Sequence, residues 1–185
     1  MLGLLILFAF ALGIAAWSVA RPRQRAFADQ LVAILEAGAR RKTPAAGADK
    51  SPHEDLPAPV QRYLRQAVPD GVLPARLARF RQAGTLRTDT RSNHWMSFTA
   101  DHRVAPAAAG FVWQARVALF PGAHLWMLDS RVDGRGAGQV SLISALVVSA
   151  TGGNPEMNSG SLHRFLAEAV WYPTALPHSS ILRKA

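Results

Sequence analysis

The chain has 185 residues, room for one domain and an anchor but hardly for two domains. It holds no cysteine, which excludes a disulfide framework, a zinc–thiolate site, a thiol nucleophile and a lipid-modified N-terminal cysteine. Its net charge of +9 is carried by 18 Arg and 3 Lys, and reflects either a base composition rich in Arg codons or attraction to an anionic surface.

The first segment, 1–20, is read as a transmembrane anchor. From Leu2 to Ala20 there is no charge, and Ser18 is almost the sole polar group. Nineteen helical residues rise about 28 Å, enough to cross the hydrocarbon core. Trp17 sits near one end, where an indole suits the headgroup region. The rival reading is a secretory signal cleaved after Ser18-Val19-Ala20. No Lys or Arg precedes the run and it is long for a signal core, so a retained anchor is preferred. Arg21, Arg23 and Arg25 follow it and fit anionic lipid headgroups. The positive-inside rule then places the rest of the chain in the cytoplasm.

The basic stretch 21–40 continues as a juxtamembrane helix. Phe27, Leu31, Ile34 and Leu35 keep helical spacing and Gly38 offers a stop. This stripe either lies on the bilayer surface or packs on the domain. The segment 41–54, RKTPAAGADKSPHE, reads as a linker, and 55–185 as one domain. A second helix begins near Asp55, with Pro57 and Pro59 at its start and Val60, Tyr63, Leu64, Ala67 and Val68 on one face.

From Arg76 the period changes to two. The segment 111–119 alternates Phe111, Trp113, Ala115, Val117 and Leu119 against Val112, Gln114, Arg116 and Ala118. Strands are also expected at 79–88, 94–101, 124–132 and 139–149, with Asp133-Gly134 as a tight turn. A last helix is expected from about Ser159 to Trp171, capped by Asn158 or Ser159, with Leu162, Phe165, Leu166, Ala169 and Val170 on its apolar face. The expected fold is α+β: an N-terminal transmembrane helix, then an antiparallel sheet of about five strands covered by two amphipathic helices.

The segments LPAPVQRYLRQAVP (56–69), GFVWQARV (110–117), LDSRVDGRG (128–136) and SLHRFLAEAVWYPTAL (161–176) occur in that order. In them the chain resembles an uncharacterised bacterial membrane-anchored family, a domain of unknown function marked by LPxPVxRYL, FxW, a D-x-x-x-DG turn and RxLAExxWxPTAL. The resemblance implies no known activity. It implies further strands after PTAL, where this chain reads PTALPHSSILRKA, and hence a truncated form or a fragment. The order of elements is also similar to periplasmic lipoprotein carriers, incomplete half-barrels closed by helices around an apolar cavity.

Several residues bear on chemistry. Glu168, His163 and Arg164 on the last helix could serve proton transfer, but an ordinary solvated face with one i,i+4 ion pair is preferred. Asp129 and Asp133 read as a structural turn, since two carboxylates are too few for a calcium loop, and no metal site is expected. Trp95, Trp113, Trp126 and Trp171 either fill a core or form an apolar ligand cavity or a surface that dips into lipid, and Arg116, opposite Trp113 across the pleat, either pairs with an anionic headgroup or simply snorkels. No nucleotide, hydrolase or metalloprotease motif is present and no cofactor is implied. The glycine-rich 134–138 opens a strand and is a turn, not a phosphate cradle. The leading expectation is a non-enzymatic, membrane-tethered domain binding a lipid or other apolar ligand. The alternatives are an enzyme using Glu168, His163 and Arg164, and a structural or scaffolding membrane protein. Nucleic-acid binding fits least, because the basic residues are scattered apart from the juxtamembrane group.

Overall fold

The computed structural model describes residues 2–41, 56–68, 72, 75–89, 91 and 93–174, with the side chains of 2–6, 9, 10, 12 and 16 outside that set. Helix α1 is Leu2–Arg41, α2 is Ala58–Ala67 and α3 is Pro155–Glu168. The strands are β1 (Ala78–Leu86), β2 (Met96–Ala105), β3 (Gly110–Phe120), β4 (Ala123–Val132), β5 (Arg135–Leu142) and β6 (Leu146–Gly152). They form one antiparallel meander in chain order, open at β1 and β6. The fold is α+β.

Register sorts the sheet into two faces. One row runs Arg81, Asp101, Gln114, Leu128, Gln139; the opposite row runs Phe80, His102, Trp113, Asp129, Gly138. The second half of α1 covers the first face. Ala28, Val32, Leu35 and Ala39, at helical spacing, are buried against Ala105, Val112, Leu128 and Val132. Of the stripe expected from sequence, Leu35 lies in this cluster and Leu31 and Ile34 pack against it, while Phe27 is 39% exposed, so the helix packs on the domain by a face rotated from the expected one. Burying Val32 and Leu35 contributes roughly 1.5–3 kcal/mol each. Helix α3 covers the second face, where Phe165 and Ala169 meet Val104, Phe111 and Tyr172.

This arrangement corrects the expected half-barrel. Its two covering helices were to be the second and the last, closing one apolar interior. Instead α1 and α3 lie on opposite faces of an open sheet, and α2 is tied to the end of α3 by Tyr63, whose hydroxyl donates to the Val170 carbonyl at 2.9 Å. Gly38 does not end α1, which runs on to Arg41. Helix α3 starts four residues early: Asn154, not Asn158 or Ser159, is its cap, accepting from the Met157 amide at 2.8 Å. Asn158 instead accepts from the Gly136 amide at 2.7 Å and docks the helix on the sheet. The glycine-rich 134–138 serves this docking. A Cβ on Gly136 would lie 2.2 Å from the Met157 carbonyl oxygen, so helix backbone rests directly on strand backbone.

The expected strand 139–149 is a hairpin of β5 and β6. Its turn places Ile143 (φ 47°) and Ser144 (φ 59°) in left-handed conformations. Such turns normally use Asn and Gly, so Ile-Ser gave no turn signal. Asp133-Gly134 (φ 49° and 81°) is the tight turn its sequence announces.

Among the described residues, no helix is long and apolar enough to cross a membrane. The expected span 1–20 falls partly on side chains outside the described set, as do nearly all of the expected linker 41–54 and the ending after Thr174.

A β-branched residue at positive φ costs about 1 kcal/mol or more. Ile143→Asn should therefore raise the thermal unfolding midpoint of the full chain, followed by circular dichroism. An unchanged or lower midpoint would show that the turn holds no relievable strain.

Candidate functional site

Two polar groupings lie on opposite faces of the sheet. The first is held between α3 and the second face. Arg164 donates from Nε to Glu168 Oε1 at 2.9 Å and from Nη1 to Asp129 Oδ2 at 2.5 Å. Its guanidinium lies 5.0 Å from the Phe111 ring centre and 4.9 Å from that of Trp113. Trp113 in turn donates its indole N–H to Gln82 Oε1 at 2.8 Å. Arg131 closes the other end, donating to the Asn158 carbonyl at 2.8 Å. Arg164 and Glu168 therefore face the sheet, which corrects the expectation of a solvated helix face. The reason is that strand side chains beneath α3 offer it a carboxylate and aromatic rings.

His102 lies at the centre of this face, 0% exposed, with Nε2 3.5 Å from Glu168 Oε2. The separation suggests an ion pair, but burial, and secondarily the Arg164 charge, lower the His102 pKa to about 4, against a smaller opposing pull from Asp101. The imidazole is thus neutral at ordinary pH, and we read the contact as a neutral ring beside a carboxylate. Both ring nitrogens and Glu168 Oε2 are buried without a hydrogen-bond partner among the described residues. Burial also raises the Tyr172 phenol, which donates to the Phe165 carbonyl at 2.9 Å and closes the end of α3.

The second grouping lies on the α1 face. Arg116 and Trp126 face the same way across paired strands and line an open depression of about 500 Å³ with Arg81, Thr99, Asp101 and Gln114. A second depression, about 560 Å³, opens between the first half of α1 and the sheet. There Trp17 donates its indole N–H to the Ile143 carbonyl at 3.2 Å, and the Arg21 guanidinium stacks on Trp17 at 4.9 Å. His124 bonds Ser144 Oγ at 2.8 Å; burial first, then Arg116 and Arg21, lower its pKa.

The candidates named from sequence are partly gathered. Arg164, Glu168, Asp129 and Trp113 come together, and Arg116 joins Trp126. His163 is exposed on α3, away from the cluster. Asp133 sits in its turn. Trp95 and Trp171 are 56% and 52% exposed, Trp95 under Arg87 and Trp171 beside Phe80, so the four tryptophans line no common cavity. Among the described residues no group of three or more His, Cys, Asp and Glu could hold a metal. Sequence reasoning missed His102 and His124. His102 was detectable: Phe98, Ala100, His102 and Val104 alternate, which puts an imidazole at an inward position. His124, beside a Pro-Gly turn, gave no such signal.

Chemically, the first grouping clamps α3 to the sheet. None of the three depressions described in this structure is lined by His102, Arg164, Glu168 or Asp129. Replacing Arg164 by Met should lower the unfolding free energy in a urea titration by about 2 kcal/mol, since two half-buried carboxylates lose their partner. A loss below a few tenths would mean that the pairs are ordinary surface bridges.

His102 also sets a pH window. Its folded pKa of about 4 lies below the unfolded value of 6.5, so the unfolded chain binds the extra proton between them. Stability should fall as pH drops from 6.5 towards 4, and His102→Gln should flatten that part of the profile. An identical profile in the variant would remove His102 from the account.

No curated protein and no solved structure matches the chain. A family model does, over residues 54–183, a stretch that contains α2, the whole sheet, α3 and the four motif segments; the chain belongs to the family of unknown function DUF6920.

Proposed function

We propose that this chain is a single-span membrane protein that holds its sheet rigidly against the bilayer and binds lipid there. The observation that carries the reading is the continuity of α1. One helix joins the uncharged run 2–20 to residues buried in the domain core at 28–39. Pro22 lies inside it without ending it.

The exposed side chains fit this placement. Leu7 and Phe8 are 70% and 67% exposed on the first half of α1, an unpartnered apolar surface on a helix that begins without charge. Trp17 and Arg21, stacked on each other, stand where the helix would leave the hydrocarbon for the headgroups. Phe120, the last residue of β3, and Leu146, Val147 and Val148 on β6 are exposed too. The Trp17–Ile143 hydrogen bond brings the β5–β6 turn to the same level of α1. The basic residues at Arg21, Arg23 and Arg25 follow, favouring the cytoplasmic side for the domain. A retained helix also suits the packing better than a cleaved signal, because a cut after Ala20 would sever a helix whose next turns anchor the core.

Expressed as the full chain, the protein should stay with membranes after alkaline carbonate extraction. Leu7→Asp with Phe8→Asp should move most of it to the supernatant, since each charge near the span centre costs about 2.5–3.5 kcal/mol of insertion. Wild-type protein released quantitatively by carbonate would sink the anchor.

A further inference from the structure

The depression between α1 and the sheet has a chemistry that the clamp under α3 lacks. Its lining includes two arginines, Arg21 and Arg116, and the imidazole of His124, and no carboxylate. Arg79, Arg103 and Arg164 each pair with an acid. Arg21 and Arg116 make no ion pair among the described residues; Arg21 is only stacked on Trp17. Two arginines that line one depression without a counter-charge repel each other, and an anion bound there offsets that repulsion.

The remaining lining is apolar. Gly13, Ile14 and Trp17 of α1 face Gly122 and Ile143 of the sheet turns. The cationic end lies towards the domain and the apolar end towards the uncharged run of α1. Ile143 on this rim is held at φ 47°, and its carbonyl accepts the Trp17 indole. A strained β-branched residue persists where its surroundings over-determine it, so the rim is a built feature. Arg116 also lines two neighbouring depressions, one along the face beside α1 and one towards Phe120.

We infer that this depression is a binding site for the phosphate of an anionic phospholipid: Arg21, Arg116 and His124 hold the headgroup, and the acyl chain follows Ile14 and Trp17 along α1. The inference rests on the membrane placement proposed above. It adds a defined site, with residues from the sheet, to a general attraction between basic residues and lipid. Arginine's planar fork suits a phosphate diester, and a phosphatidylcholine headgroup would bring its own ammonium against two cations.

The test uses the full chain purified in a mild non-ionic detergent. Native mass spectrometry reads binding of a short-chain phosphatidylglycerol, of phosphatidylcholine of equal chain length, and of inorganic phosphate. A single phosphatidylglycerol adduct is expected. It should weaken about tenfold in Arg116→Gln and in Arg21→Gln, recover in part in Arg116→Lys, and stay unchanged in Arg135→Gln, an exposed cation at the opposite end of β5. Arg116 is exposed, so its variants should keep the wild-type unfolding midpoint, which is measured alongside. Equal retention of phosphatidylcholine overturns the site, as does phosphatidylglycerol binding that Arg116→Gln leaves intact. Inorganic phosphate binding as tightly as the lipid overturns it too, by making it a site for a free anion. Carbonate extraction separates this from the anchor. Protein released by carbonate that still binds phosphatidylglycerol through Arg116 keeps the site and loses the anchor; protein retained by carbonate without such binding does the reverse.

Discussion

The packing of α1 across one face of the sheet is the constraint on which the rest depends. Ala28, Val32, Leu35 and Ala39 form a narrow stripe of small and medium side chains, so the helix lies close to β3 and β4. Two polar contacts set its rotation: Glu36 accepts from Arg103 at 3.2 Å, and Gln24 meets Gln139. With rotation and depth fixed there, the direction of the remaining turns follows, because a helix transmits orientation along its axis. Trp17 then meets the β5–β6 turn and Arg21 comes over His124.

The two faces use different physics. The α1 face relies on apolar burial at its centre and leaves unpaired cations at one end. The α3 face sets a neutral imidazole, two carboxylates and two guanidiniums among aromatic rings. Such a network adds little net stability over an apolar equivalent but penalises every misplacement of its members. Here it specifies where α3 sits, together with the backbone contact over Gly136 that no side chain could occupy.

The sheet's meander, α2, α3 and the Asp133-Gly134 turn were legible because they rest on local signals: period two, period 3.6, and a turn pair that tolerates positive φ. The Ile143–Ser144 turn was not, since its conformation is imposed by pairing between β5 and β6 against local preference. Arg164 and Glu168 looked solvated because a helical wheel knows nothing of the strand beneath; Asp129 and His102 become their partners only through the register of β2, β3 and β4. The cluster of Arg21, Arg116 and His124 joins α1 to the β3–β4 hairpin far along the chain, and no spacing in the sequence announces it.

Strand β6 closes the meander with every residue exposed and with Leu146, Val147 and Val148 in succession along an edge that has no partner strand among the described residues. It has no proline, no lysine and no charged side chain to blunt it. In solution such an edge is a template: it can add a strand from another copy, and repeated addition leads to fibrous aggregate. A bilayer or a detergent collar at that end of the molecule would act as a cover, shielding the edge from its own kind. On the placement proposed above, solubility and correct assembly would be tied to the surrounding amphiphile, and stripping it away would trade a membrane surface for self-association.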